Sequence, residues 1–285
     1  MSGLPLPLQL LRLYPKRLGS ALVGWVAARR LPRALRAPLL GRFARRYGMD
    51  LAEAEFPLED YPSFQAFFTR RLKPGLRPQA ELPPGALNSP VDARIAACGR
   101  VEAGTLIQAK GLPYGLEELL KHVPDPGVFE GGHYVTLYLA PRDCHRSHVP
   151  CEGRVTALAR VEGELWPVNA LSTAHVPRLY VRNRRAAWRA TGAGADEGLE
   201  VAAVLVGSTH VGRCYIDARW REGRERPRDG GLAVPGLPCT PGDDLGLFRF
   251  GSTVVLLVGG PRAGDWALGR TEGSVKVGER LGAFR

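Results

Sequence analysis

The sequence is short of the residues that most often mark an active site: its 285 residues include 6 histidines, 5 cysteines and 2 methionines. The cysteines, Cys98, Cys144, Cys151, Cys214 and Cys239, are odd in number and irregularly spaced, and no secretory leader is recognisable. That pattern argues against a disulfide framework and for a reducing, cytoplasmic setting. Long apolar runs are also missing. The uncharged stretch Leu18 to Ala28 covers eleven residues, well short of the roughly 20 needed to span a bilayer. Acid is absent from residues 1–49, which hold Arg12, Lys16, Arg17, Arg29, Arg30, Arg33, Arg36, Arg42, Arg45 and Arg46. Ten of the eleven net positive charges lie there, so the basic character belongs to an arm and the remainder is nearly neutral. A localised basic arm needs an acidic surface as partner, nucleic acid or anionic lipid.

What is present describes a folded protein: 45% of residues are apolar and 24% charged, enough for one substantial core or two modest ones. Thirty-five glycines and twenty-four prolines are scattered between short apolar runs, as turns between strands require. Past residue 86 such runs recur at Val101 to Gln108, Tyr134 to Ala140, Val155 to Val161, Val201 to Val206 and Thr253 to Val258. They read as a β-rich body, with a helix expected at Gly115 to His122. The fold class is α+β, with a helical region over residues 1–75 and a β-rich domain over 76–285.

Between Pro15 and Pro32, Leu18, Ala21, Leu22, Trp25 and Val26 fall on one helical face, bracketed by Lys16, Arg17, Arg29 and Arg30. A second basic helix is expected from Pro32 or Pro38 to Tyr47, its apolar residues Leu35, Leu39, Leu40 and Phe43. Leu, Trp and Phe suit the acyl boundary of a bilayer, so lipid is preferred to nucleic acid, with the helices lying on the membrane. The competing reading docks the same stripes on the protein's own body. Residues 50–78 read as a hinge from arm to body, with Phe64, Phe67 and Phe68 packing and no catalytic role.

Three stretches carry candidate chemistry. In Gly246-Leu-Phe-Arg-Phe-Gly-Ser-Thr-Val-Val-Leu-Leu-Val258, Ser252 could attack the carbonyl of Gly251, where a residue without Cβ tolerates the close approach. The amide would become an ester, β-elimination would leave a dehydroalanine, and hydrolysis would release ammonia and leave a pyruvoyl group. Gly-Ser-Thr is equally a common turn into an apolar strand. In Asp143-Cys144-His145-Arg146-Ser147-His148-Val149-Pro150-Cys151, either imidazole could move the Ser252 proton. The same cysteines and histidines allow a zinc site, although Cys144 and His145, being adjacent, reach one ion awkwardly. Asp92 in Ser89-Pro-Val-Asp92 could orient a base or simply form a turn. Asp, His and Ser together also admit a direct serine hydrolase, but no GxSxG elbow occurs. A basic membrane-binding module without activity is a further alternative.

Five blocks in order resemble the bacterial phosphatidylserine decarboxylases: Phe67-Phe-Thr-Arg-Arg-Leu-Lys-Pro-Gly-Leu-Arg-Pro78, Ser89-Pro-Val-Asp92, Tyr138-Leu-Ala-Pro-Arg-Asp-Cys-His-Arg-Ser-His-Val-Pro150, Val206-Gly-Ser-Thr-His-Val-Gly212 and Phe248-Arg-Phe-Gly-Ser-Thr253. The resemblance implies a sandwich-like β-rich body and conversion of phosphatidylserine to phosphatidylethanolamine and CO₂. It implies a pyruvoyl cofactor from Ser252, which would hold the substrate amine in a Schiff base, and no metal. His145 would serve substrate protonation and decarboxylation, and His148 would join Asp92 and Ser252 in self-cleavage. Asp143 and Thr253 would support the site. Pyridoxal phosphate fits poorly, since beyond the arm the lysines are Lys73, Lys110, Lys121 and Lys276 and no P-loop form occurs. The precursor would yield chains 1–251 and 252–285 that stay associated, with further homo-oligomerisation possible, on the cytoplasmic face of the membrane. The chain departs from the family at Ala93, where Gly is frequent, at Cys144, where Tyr is usual, and at Arg184, where an acid is common. Arg184 is expected to break an ion pair, and His210 to be structural.

Overall fold

A computed structural model describes residues 4–81, 83–193, 196–209, 214–221, 228–248 and 252–285, with only the backbone of Ser252. Three helices begin the chain: α1 (Leu6–Leu13), α2 (Lys16–Ala28) and α3 (Arg33–Tyr47). A proline at Pro5, Pro15 and Pro32 caps each in turn, where its missing N–H costs nothing, and Gly48 ends α3 in the left-handed region at φ 67°. The sequence reading missed α1, whose Leu8 is buried in the body's core. The α2 stripe faces outward: Leu18 is 73% exposed, Leu22 62%, and Trp25 and Val26 57% each. The stripe therefore does not dock on the protein's own body. In α3, Leu35 and Leu39 are likewise exposed, whereas Leu40 and Ala44 pack with Phe67. Among the described residues no helix is long and apolar enough to cross a membrane.

After α4 (Phe64–Phe68) come the strands β1 (Leu87–Asn88), β2 (Ala93–Arg100), β3 (Thr105–Ile107), β4 (Pro113–Gly115), β5 (His133–Leu139), β6 (Arg146–His148), β7 (Gly153–Val161), β8 (Arg185–Thr191) and β9 (Glu200–Val206). They continue as β10 (Cys214–Ile216), β11 (Gly230–Cys239), β12 (Asp244–Phe248), β13 (Ser252–Gly259), β14 (Trp266–Leu268), β15 (Ser274–Val275) and β16 (Arg280–Phe284). One eight-stranded sheet, entirely antiparallel, runs β11-β7-β8-β9-β13-β5-β2-β15. Its central strands read as continuous apolar runs because both faces are covered. Val254, Leu256 and Val258 of β13 enter one core, beneath the small sheets β1-β16-β14 and β10-β12-β6, while Val255 and Leu257 enter another. That second core is closed by short helical segments, including α5 (Leu116–Leu119), α6 (Ala170–His175) and α7 (Leu179–Arg182).

The α+β class and large β body match the expectation. Two details do not. The expected strand Val101 to Gln108 is a turn leading into the three-residue β3, while the long strand there is β2, just upstream. The expected helix at Gly115 to His122 is the single turn α5.

Candidate active site

Register brings separate stretches to one end of the large sheet. Ser252 opens β13 opposite Leu139, the last residue of β5, and Thr253 stands between Tyr138 and Val206, the last residue of β9. On the other flank of β5, Arg94 pairs with Tyr138, so Asp92, two residues earlier, reaches the same level. The chain leaving β5 turns back through Asp143, whose Oδ2 accepts the Ala140 N–H at 2.8 Å, and delivers His145. Gly251 and His210 lie outside the described residues.

His145 is 0% exposed, and its ring packs 4.1 Å from that of Phe68. Its Nδ1 lies 2.9 Å from the Asp143 carbonyl. A carbonyl only accepts, so Nδ1 carries the proton and Nε2 presents a bare lone pair. That Nε2 is buried and has no hydrogen-bond partner among the described residues. Burial pushes the His145 pKa down to about 3, so the ring is neutral at physiological pH and Nε2 keeps its lone pair.

His148 lies on β6 with Nε2 3.9 Å from Asp244 Oδ1 and Nδ1 buried without a partner among the described residues. Burial lowers its pKa, opposed by the Asp244 charge. A cavity of about 260 Å³ reaches it, walled by Arg71, Lys73, Arg77, Cys144, Arg146 and His148 among others.

Asp92 is brought to the site but not onto an imidazole. Its carboxylate accepts from Arg77 Nε at 3.0 Å and Nη2 at 2.7 Å, and from the Val277 N–H at 2.9 Å, with Lys276 Nζ 3.6 Å away. Burial pushes its pKa up, but these donors outweigh it and hold the carboxyl below its ordinary value. Asp143 has its pKa raised by burial, and its bond to Ala140 gives it the loop-fixing part. Thr253 is buried next to Ser252 in sequence, with Oγ1 unpartnered among the described residues.

The zinc alternative finds no geometry: Cys144 Sγ donates to the Arg70 carbonyl at 3.6 Å, His145 Nδ1 to Asp143, and Cys151 sits in the apolar core. Among the described residues no three potential ligands cluster. Of the departures, Ala93 opens β2 in a buried position and Cys144 is buried with its thiol pKa raised by desolvation. Arg184 makes an ion pair instead of breaking one, its Nη2 lying 2.5 Å from Glu162 Oε2.

Sequence reasoning overlooked Phe68, Arg70 and Arg77, all in the stretch taken as a hinge. Their block was visible, yet nothing in its spacing says that it folds against the His145 loop. Asp244 was missed because the register that pairs it with His148 is long-range.

Residues 64–283 match the family described as phosphatidylserine decarboxylase. The chain is 43% identical over 255 residues to the phosphatidylserine decarboxylase proenzyme of Anaeromyxobacter sp. (strain K), covering 87% of each chain. It is 36% identical over 282 residues to that of Myxococcus xanthus (97% of this chain and 98% of the relative), and 39% identical over 250 residues to that of Coxiella burnetii (85% and 86%).

Proposed function

The chain belongs to the phosphatidylserine decarboxylase family, and from that premise we propose that it converts phosphatidylserine to phosphatidylethanolamine and CO₂, using a pyruvoyl group made from Ser252 by self-cleavage of the Gly251–Ser252 bond. The observation that carries this reading is the bare, buried Nε2 of His145 at the sheet end where Ser252 begins β13. The residues there suit the group, since Thr253 follows Ser252 with a buried hydroxyl that has no partner among the described residues, and the chain leaving β5, the strand paired with Ser252, carries His145 and His148. When formed, the pyruvoyl carbonyl supplies the electron sink for the bond to the departing carboxylate, which no ordinary side chain provides.

His145 takes at Nε2 a proton given up by the substrate ammonium and delivers it to the carbon from which CO₂ departs. Its dry surroundings keep bulk water from competing for that proton. His148 takes the Ser252 hydroxyl proton during cleavage. Asp92, locked by Arg77, acts as a fixed negative charge near His148 and not as a direct hydrogen-bond partner. Asp143 holds the loop that presents His145.

Cleavage gives chains 1–251 and 252–285, which stay together because β13 is hydrogen-bonded on both sides, to β5 and to β9, and the short chain adds β14, β15 and β16 to three separate sheet positions. Residues 1–75 form a membrane-binding arm and 76–285 the catalytic domain. The outward α2 stripe and the ten bases of residues 1–49 rest on anionic lipid at the cytoplasmic face, without spanning it.

Denaturing mass spectrometry of the purified protein tests the reading. Two chains are expected, the shorter with a blocked N-terminus that borohydride shifts in mass, together with CO₂ release from phosphatidylserine vesicles. An intact chain with full activity would overturn it.

A further inference from the structure

Arg70 follows α4 and is 3% exposed. Its Nη2 donates to the Arg142 carbonyl at 3.1 Å, and its own carbonyl accepts from Cys144 Sγ at 3.6 Å. Both bonds tie it to the loop that carries His145, and Phe68, two residues before it, touches the His145 ring. Its Nε and Nη1 are buried with no hydrogen-bond partner among the described residues. Among the described residues no carboxylate pairs with it. Arg77 in the same stretch shows the usual arrangement, with Asp92 and Glu53 both on its guanidinium. A guanidinium removed from water loses hydration that an anion restores, and at Arg70, whose guanidinium lies 5.4 Å from the Phe67 ring, no described residue supplies that anion.

Resting on the reading that this site acts on phosphatidylserine, we propose that Arg70 is a substrate-binding residue whose unpaired N–H groups take the phosphodiester of the lipid headgroup. The headgroup offers two anions, and reaction chemistry separates them. The carboxylate loses its charge as CO₂ forms, so a cation held on it would favour the ground state over the transition state. The phosphodiester keeps its charge throughout, and its oxygens match planar guanidinium donors. Contact there adds binding that is equal before and during reaction.

The test compares wild type, Arg70→Met and Arg70→Lys, all first shown by mass spectrometry to be fully processed. Activity is measured on phosphatidylserine in mixed micelles, and calorimetry follows glycerophosphoethanolamine, which has the phosphodiester without the carboxylate, and serine, which has the reverse. Arg70→Met is expected to raise KM at least about tenfold with kcat changed less than about threefold, the signature of lost uniform binding. Glycerophosphoethanolamine should weaken by the same factor and serine should be unaffected, with Arg70→Lys recovering part of the loss. A fall in kcat at constant KM, weakening of serine alone, or unchanged glycerophosphoethanolamine affinity would each overturn the proposal. So would headgroup binding that survives while only the processed protein loses thermal stability, which would make the new chain end the anion. If Arg70→Met does not fold, Arg70→Lys decides, because affinity equal to wild type excludes a role for the guanidinium. A wild-type protein that binds glycerophosphoethanolamine through Arg70 yet releases no CO₂ supports the anion site and defeats the decarboxylase reading instead.

Discussion

The arm and the sheet end break the ordinary rule of burial in opposite directions. In α2, Leu18, Leu22, Trp25 and Val26 are held out in water, while at the sheet end His145 Nε2, His148 Nδ1, Thr253 Oγ1 and two nitrogens of Arg70 are held in without partners among the described residues. Each arrangement costs stability in the isolated chain. Together they describe a protein completed from outside, by an apolar layer against the arm and a polar ligand at the site. A lipid with a charged headgroup supplies both at once.

The sharpest way to break this pairing is at the bond that makes the site. Ser252→Ala should stay a single chain and lose activity to background, with vesicle binding unchanged, as mass and CO₂ release will show. Two chains in that variant would end the pyruvoyl reading. Next in size, His145→Ala should lower kcat by about 10²–10⁴-fold, the usual worth of a positioned acid or base, while still being cleaved. His148→Ala should instead slow cleavage, seen as accumulated precursor in a time course. Equal effects of the two on cleavage would remove the division of roles that the family resemblance implies.

A smaller effect is expected in the arm. Leu22→Ser with Trp25→Ser should weaken partition onto anionic vesicles by at least about tenfold, since a large apolar side chain contributes roughly 1.5–3 kcal/mol when withdrawn from water. Each nearby base adds about 1 kcal/mol, so raising the salt concentration should weaken binding of the wild type and of the double variant alike. Thermal stability should hold, because neither side chain is in the core. Removing residues 1–49 outright is a poorer test, as it would also strip Leu40 and Ala44 from Phe67.

Local pattern made part of this legible before any coordinates. The helical stripe of α2, the apolar runs that became β5, β9 and β13, and the order of five blocks all lie within short windows. The short strand β6 and the partner of Asp92 do not, because each depends on contacts between distant residues: Asp244 with His148, and Arg77 with Asp92. Whether the apolar stripe faced inward or outward was also beyond periodicity, which fixes a face but not its direction. The aromatics of residues 64–68 were visible yet misjudged as a hinge, since packing against an imidazole leaves no mark in spacing.

The smallest effect concerns the burial of His145 itself. Its pKa is about 3 in the fold against an ordinary 6.5, so below about pH 6.5 the unfolded chain takes up a proton that the folded chain refuses. Stability must then be fully present above pH 6.5 and fall as pH drops toward 3. His148, lowered in the same direction, adds to that slope. Asp92, held below its ordinary value, loses its contribution only at lower pH, and Asp143, raised by burial, runs the other way. Those other groups are common to wild type and His145→Leu, so they cancel to first order in the difference between the two proteins. Denaturant unfolding between about pH 7 and pH 4.5 should therefore show a shallower fall for the variant. Parallel slopes would mean that the ring is solvated and protonates freely, and the contrast between an arm proposed to rest on lipid and a site proposed to stay dry for proton transfer would lose its second half.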